Sequence, residues 1–364
     1  MKVLTVGGAM IDTIAVIDGD LIERMAMRNA ETAYLLLEEG RKVEALDIST
    51  HCGGGAVNTA VAFARLGHDV SAMIRLGQDQ RADVILDKLE AEGVSTRFAM
   101  REPRQPTGAS VHVAAHDRNA AIFTFRGANT LLEAKDLKKD AFAVDLVYVS
   151  SLSNQSADCF PAIIKQAKAN SAMVATNPGI RQLSARAGAF QESLAGIDVL
   201  SLNRVEAATL VPWLVGRFGE GGATLAARPG EALPDLLKQG LAGGGFELSL
   251  PGFCTALHGL GPKWIVITDG KNGAYVSAPS QLIHCPVIQM KAAGTAGAGD
   301  AFSATFTAFV AEGLPAEDAA IAAALNAASV IAIIDTQSGL LTRKAIDSRL
   351  PELKQTHKLQ HWTI

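Results

Sequence analysis

The sequence predicts an α/β protein, built as a mainly parallel central sheet with helices on both faces and a small separate β-sheet. Three observations carry this. Short apolar runs of strand length alternate with helical patterns along most of the 364 residues, the pattern of a parallel sheet covered on both sides. Two regions, 14–50 and 107–125, break the alternation and read as antiparallel. Two glycine-rich turns, at 53–55 and 294–299, run directly into apolar helical patterns.

Residues 3–6 form a first buried strand, ending in Gly7-Gly8. Residues 56–66 carry small and apolar side chains at helical spacing and stop at Gly67, placed as a C′ glycine. A strand over 70–76 follows, then a helix capped by Asp79 that runs to Leu89 and ends before Gly93. Residues 146–150, 173–176, 199–202 and 264–268 are further strands. In the first irregular region, 33–37 and 43–48 read as a hairpin around 38–42; in the second, 109–115 and 120–125 pair around a turn at 116–119. Placed over the strand ends, such a sheet would act as a lid. Residues 210–260, rich in Gly, Pro and Ala around a short helix at 233–241, read as a surface insertion. The expected organisation is core at 1–13, lid at 14–50, core at 51–106, lid at 107–125, and core again over 126–364.

With 33 basic and 37 acidic residues the formal net charge is −4, which gives no reason to expect nucleic acid or an anionic membrane as partner. The longest weakly polar stretch, 319–334, contains Asn326 and Ser329 and lies between Asp318 and Asp335. It falls short of the roughly 20 residues a spanning helix needs. The first residues lack a basic segment followed by an apolar run, so no leader is expected. Cys52, Cys159, Cys254 and Cys285 form no Cys-x-x-Cys pair. They read as free thiols in a reducing cytoplasm rather than as disulfides or a zinc site.

The strongest chemical signal is Gly294-Thr295-Ala296-Gly297-Ala298-Gly299-Asp300. Where a glycine-rich turn enters a helix, the first N–H groups have no intrahelical partner and the dipole adds positive potential, so the junction suits phosphate oxygens. Asp300 at its mouth can accept a proton from an attacking hydroxyl, or can be an ordinary acid of a first helical turn. The residues alone leave both readings open. The second signal is Gly53-Gly54-Gly55-Ala56-Val57-Asn58, where Asn58 can offer donor and acceptor to a hydroxylated ligand or simply cap the helix. Gly270-Lys271 is followed by Asn272, not Ser or Thr, and no Gly-x-Gly-x-x-Gly follows the first strand. A P-loop enzyme and a dinucleotide-binding oxidoreductase are therefore not favoured.

Gly53-Gly54 with Asn58, then Ala64-Arg65-Leu66-Gly67, resembles the first signature of the ribokinase-like (PfkB) family of carbohydrate and nucleoside kinases, and Gly297-Ala298-Gly299-Asp300 resembles its second. Intermediate features agree: Ile11-Asp12, Arg126-Gly127-Ala128-Asn129, Asn203-x-x-Glu206 and Thr268-x-Gly270 with Gly273. The resemblance implies a three-layer α/β/α fold with a β-sheet lid, and a kinase that transfers the ATP γ-phosphoryl group to a hydroxyl. It implies Asp300 as base, Gly297, Ala298 and Gly299 as the anion hole, and Asn203 and Glu206 acting on Mg2+ through water. It further implies Thr268, Gly270, Gly273 and Asn326 at the nucleotide, and Asp12, Gly54, Gly55 and Asn58 at the acceptor. Asp12 is placed by it at the end of the first strand, and Asn177-Pro178-Gly179 near the phosphates.

The second signature usually opens with an aspartate that helps bind a monovalent cation. Gly294 stands there in this chain, which argues against potassium activation. Relatives that take phosphorylated sugars tend to place a lysine where this chain has Gly55. A non-phosphorylated sugar or sugar acid is the favoured acceptor. The alternatives are an adenosine-like nucleoside, with Phe123, Phe125 and Tyr34 as candidates for a base slot, and a non-catalytic sensor on the same fold. His51, His112 and His116 read as ordinary lid residues, and Trp213 and Trp264 as packing. Pairing of lid edges between subunits would give a homodimer.

Overall fold

The computed structural model describes residues 1–18, 23–26, 33–36, 39–40, 42–115, 120–226 and 232–364. A ten-stranded sheet forms its centre. Seven strands are parallel, in the spatial order Trp264–Thr268, Val199–Asn203, Met173–Thr176, Leu146–Val149, Lys2–Gly7, Asp69–Gly77 and Met100–Glu102. Ala274–Ala278, Gln281–Cys285 and Gln360–Thr363 extend one edge antiparallel. Strand order reverses at Lys2–Gly7: the chain next adds Asp69–Gly77 on one side and later Leu146–Val149 on the other. Such a reversal opens a crevice at the carboxyl ends of the strands, the usual ligand position in an open α/β sheet.

Consecutive side chains of the first strand feed different cores, as the two-residue period of a strand requires. Val3 packs with the helices Gly55–Arg65, Gln80–Ala91, Ala298–Ala311 and Ala316–Ile331. Leu4 and Val6 pack with Phe160–Ala169, Arg204–Phe218 and Leu250–His258. Helices thus cover both faces, giving three layers. The helix after Asp79 starts where the cap predicts, with the Asp79 carboxylate accepting from the Ala82 N–H at 3.1 Å.

The second sheet has four strands in the order Ala45–Gly53, Met10–Ile17, Gly108–Ala115 and Ala120–Phe125. The expected hairpin of 33–37 with 43–48 is not formed. Ala33–Leu36 pairs with Glu23–Ala26, and Ala45–Gly53 pairs antiparallel with Met10–Ile17. Asp12 therefore lies inside a strand of the small sheet, not at the end of the first strand, because Gly8-Ala9 is all that separates the two strands. That short link is fixed by Asn129, whose amide accepts from the Ala9 N–H at 2.9 Å and donates to the Ala9 carbonyl at 2.8 Å. The turn expected at 116–119 lies outside the described residues.

The glycine-rich region around 210–260 does more than cover the surface. The helix Arg204–Phe218 ends at Gly219, with φ 89°. Beyond it, Leu236, Leu237, Leu241 and Leu248 are buried in the second core, supplied by the helix Asp235–Gln239 and the hairpin of Leu241–Gly243 with Phe246–Leu248.

Arg65 ties three segments together. Its guanidinium meets both Glu92 oxygens, at 2.9 and 2.7 Å, and donates to the Gln337 and Leu340 carbonyls at 2.8 and 2.9 Å. These bonds from Arg65 hold the Glu92 carboxyl down at about 2, from an ordinary value of 4.5, against burial, with Lys88 adding to the fall. Arg65→Met is expected to remove ~2 kcal/mol of stability at neutral pH, the scale of charge-assisted hydrogen bonds. A depressed carboxyl pKa stabilises above its unfolded value and loses that contribution as pH falls through the folded one. Thermal denaturation of the two proteins should therefore converge between pH 4.5 and about 2.

Candidate active site

Two glycine-led helices start side by side at the crevice. Gly297 caps the first in the left-handed region, with φ 79°, and a Cβ there would lie 2.7 Å from the Thr336 Cβ. Among the described residues no side chain caps this end. The N–H groups of Ala298, Gly299 and Asp300 are left to an outside acceptor, and the helix dipole makes the spot attractive to an anion. Gly54, with φ 95°, precedes the second helix, and a Cβ there would meet the Gly8 carbonyl oxygen at 2.5 Å. At Gly55 a Cβ would lie 2.8 Å from the Ser150 Cβ and 3.6 Å from the Asp300 Oδ1, so glycine keeps the space beside Asp300 clear.

Asp300 stands in the first turn of its helix and accepts a hydrogen bond from Asn58 Nδ2 at 2.8 Å. The orientation of Asn58 follows from its other end, where Oδ1 accepts from Thr336 Oγ1 at 2.9 Å and Gln337 Nε2 at 3.0 Å. Gln337 also donates to the Cys52 carbonyl at 3.0 Å. The segment is itself folded on Asp335, which accepts from the N–H groups of Gln337 and Ser338 at 2.8 and 2.6 Å. Burial pushes the Asp300 carboxyl up from 3.8 to about 6; the Asn58 bond opposes the rise and the negative charge of Asp12 adds to it.

Asp12 is buried on the small sheet, and Gly53 is its floor: a Cβ at Gly53 would fall 1.9 Å from the Asp12 Oδ2. Ser110, directly opposite in register, donates to Asp12 Oδ1, and His112 Nε2 lies 2.8 Å from the Ser110 hydroxyl. Sequence reasoning missed Ser110, His112, Thr336 and Gln337, because each acquires its partner through strand pairing or a long-range contact. The same register places Phe123 and Phe125 opposite Val111 and Ala109, on the face away from Asp12 and Ser110. They do not line the site, and the side chain of Tyr34 lies outside the described residues.

On the far side of Asp300, Asn203 and Glu206 form a reciprocal capping box: Glu206 N–H donates to Asn203 Oδ1 and Asn203 N–H to Glu206 Oε2, both at 2.9 Å. Asn177 Nδ2 donates to the Ser201 carbonyl at 2.9 Å and reaches Glu206 Oε2 at 3.4 Å. Burial raises the Glu206 pKa against these bonds, with Asp300 adding to the rise. Asn203 also borders a cleft of about 680 Å3 lined by Ile180, Arg204, Thr268, Asp269 and Gly270. Gly273 beyond it has φ 96°, and a Cβ there would sit 2.2 Å from the Cys285 carbonyl oxygen. Among the described residues, no group of three or more His, Cys, Asp or Glu side chains converges to hold a metal ion.

Asn326, expected at the nucleotide, lies in the helix Ala316–Ile331. It is fully buried, donates to Thr305 Oγ1 at 2.8 Å and accepts from the Leu341 N–H at 2.8 Å. Both ends of its amide join protein to protein, tying the helix Ala316–Ile331 to its neighbour and to the chain beyond. Arg126 stands where the last strand of the small sheet ends; burial and the neighbouring Arg181 lower its pKa.

The pfkB family carbohydrate kinase profile matches residues 6–213 and 253–343. The chain is 28% identical over 332 residues to the deoxyribokinase of Salmonella typhi, covering 89% of this chain and 94% of that protein. It is 27% identical over 317 residues to the ribokinase of Bacillus subtilis, covering 85% and 92%. Among solved structures, the Arabidopsis thaliana ribokinase complexed with ribose and ATP superposes with a TM-score of 0.69 at 21% identity, covering 96% of this chain and 98% of that one.

Asp300 should titrate near pH 6 in carbon-detected NMR of labelled carboxylates. Asn58→Leu should move its midpoint upward, because the variant removes the bond that opposes burial; an unmoved midpoint would show that the Asn58 contact does not control this carboxylate.

Proposed function

For a chain that belongs to the pfkB family of carbohydrate kinases, we propose transfer of the ATP γ-phosphoryl group to a hydroxyl of a small non-phosphorylated sugar or sugar acid, with Asp300 as general base. Membership makes the chain a phosphotransferase with an alcohol group as acceptor and ATP as donor. The observation that carries the finer reading is Asp300 itself. A carboxylate raised to about 6 sits beside three uncapped helix N–H groups, held in one orientation by Asn58. At neutral pH it is ionised and basic enough to take the hydroxyl proton, while the N–H groups of Ala298, Gly299 and Asp300 face the charge that develops on the transferred group.

Donor and acceptor divide the crevice. Thr268, Gly270 and Gly273 on the cleft side are read as the ATP face. Asp12, Gly54 and Gly55 on the small-sheet side are read as the acceptor face. Magnesium fits as an ion carried by the nucleotide phosphates. Glu206 Oε2 is already held by Asn203 and Asn177, which leaves Oε1 to bind the ion through water. Asn203 then acts by fixing Glu206. With Gly294 in place of a carboxylate, the reading includes no potassium requirement. A sugar is preferred to a nucleoside because Phe123 and Phe125 face away from Asp12. The sugar-acid option is supported by Arg126 and Arg181, two neighbouring guanidinium groups whose forked donors match a carboxylate.

The test is an ADP-release assay with Mg-ATP against sugars, sugar acids and nucleosides. Asp300→Asn should lower turnover by at least the roughly 10²–10⁴-fold typical of a lost general base, with ATP binding retained in calorimetry. Wild-type kcat/KM should fall below pH 6, where Asp300 becomes protonated. Near-normal turnover in the variant would refute the assignment. No turnover on any acceptor, with a sugar still raising the melting temperature, would favour a sensor.

Glu206→Gln should raise the magnesium concentration needed for half-maximal rate. A titration unchanged from wild type would remove Glu206 from that role.

A further inference from the structure

The small sheet carries a polar row that the kinase reading does not use beyond Asp12. Strand register lines up Asp12 with Ser110, and His112 follows two residues on, so all three side chains share one face. Ser110 and His112 are buried. The hydroxyl of Ser110 has one proton, and it goes to Asp12 Oδ1. The 2.8 Å contact between Ser110 and His112 must then run from the ring, with Nε2–H donating to the hydroxyl oxygen. In the neutral ring this fixes the tautomer and puts the lone pair on Nδ1. Among the described residues, no group donates to His112 Nδ1 or to Asp12 Oδ2. The glycine at Gly53 leaves the approach to Oδ2 free of a side chain.

Two acceptors on one face, without a protein donor among the described residues and not enclosed by the fold, are open to the hydroxyls of a ligand. We propose that Ser110 and His112 determine acceptor specificity, with Asp12 Oδ2 and His112 Nδ1 each receiving one hydroxyl of the same polyhydroxy substrate. Ser110 is the positioning residue: it occupies Oδ1, so that Asp12 presents its other oxygen, and it holds the imidazole in its tautomer. Asp12 excludes an anionic group from this end, and a sugar lacking either hydroxyl leaves one of these acceptors unpaired. The inference rests on the reading of the small-sheet face as the acceptor side of the kinase.

The experiment compares the best acceptor of the ADP-release panel with its monodeoxy analogues, using wild type, His112→Phe, His112→Gln and Ser110→Ala. Wild type should lose about 10²-fold or more in kcat/KM on two of the analogues, mainly through KM, as a site built to bind a hydroxyl does. His112→Phe should abolish the discrimination against one analogue and keep the other, and His112→Gln, whose amide oxygen accepts, should restore part of it. Ser110→Ala should weaken both. Wild type indifferent to every deoxygenation, or an equal loss on all acceptors in His112→Phe, would overturn the proposal. Should His112→Phe not fold, His112→Gln and Ser110→Ala carry the same comparison, and equal losses on all acceptors again overturn it. If no acceptor is turned over, the kinase reading itself fails. Calorimetric binding of the same sugars then decides separately, and binding indifferent to the His112 and Ser110 changes counts against their role.

Discussion

The hydrogen bond from Asn58 to Asp300 joins residues 242 positions apart and holds the site together. It forms because two helices, each led in by glycine, begin at the crevice where strand order reverses. One helix contributes the carboxylate and three open N–H groups, and the other contributes the amide that aims the carboxylate. Thr336 and Gln337 fix that amide from behind, and Arg65 anchors the backbone of the same segment. Asp300 is thus held by a chain of contacts in which no member is free to turn.

Much of this architecture was legible in the sequence wherever the signal was local. Strand-length apolar runs, the Asp79 cap and the glycines before each helix gave the layers and the position of Asp300. What escaped depended on long-range pairing. Nothing within a few residues of Met10–Ile17 marks it as a strand of a second sheet. Its identity comes from pairing with Ala45–Gly53 and Gly108–Ala115, which also brings Ser110 and His112 to Asp12. The leucines of 236–248 were obscured by the glycines around them, although burial in the second core is what orders that segment.

Helix ends carry both structure and chemistry here. The Asn203–Glu206 box stabilises its helix by about 1 kcal/mol on the usual scale for a cap, and the same bonds occupy Glu206 Oε2, while Oε1 has no hydrogen-bond partner among the described residues. At Ala298 the opposite holds: among the described residues no side chain caps the helix, and its first N–H groups stay open to an anion, as the proposed phosphoryl transfer requires. Asn326 joins the two uses in one side chain: one amide N–H and one lone pair tie its helix to Thr305 and Leu341, while the second N–H and second lone pair of the amide are not used by those two bonds.

The alternation of Val3 and Leu4 between two cores makes the first strand intolerant of any change in length. One inserted residue would exchange the side chains of both layers at once and carry Gly7 away from Ser150, whose hydroxyl oxygen lies 2.0 Å from where a Gly7 Cβ would be. The family profile passes over residues 214–252, yet Leu236, Leu237, Leu241 and Leu248 of that stretch are buried in the second core. Loss of that segment would therefore unroof the second core, on the face of the sheet opposite the helix that carries Asp300.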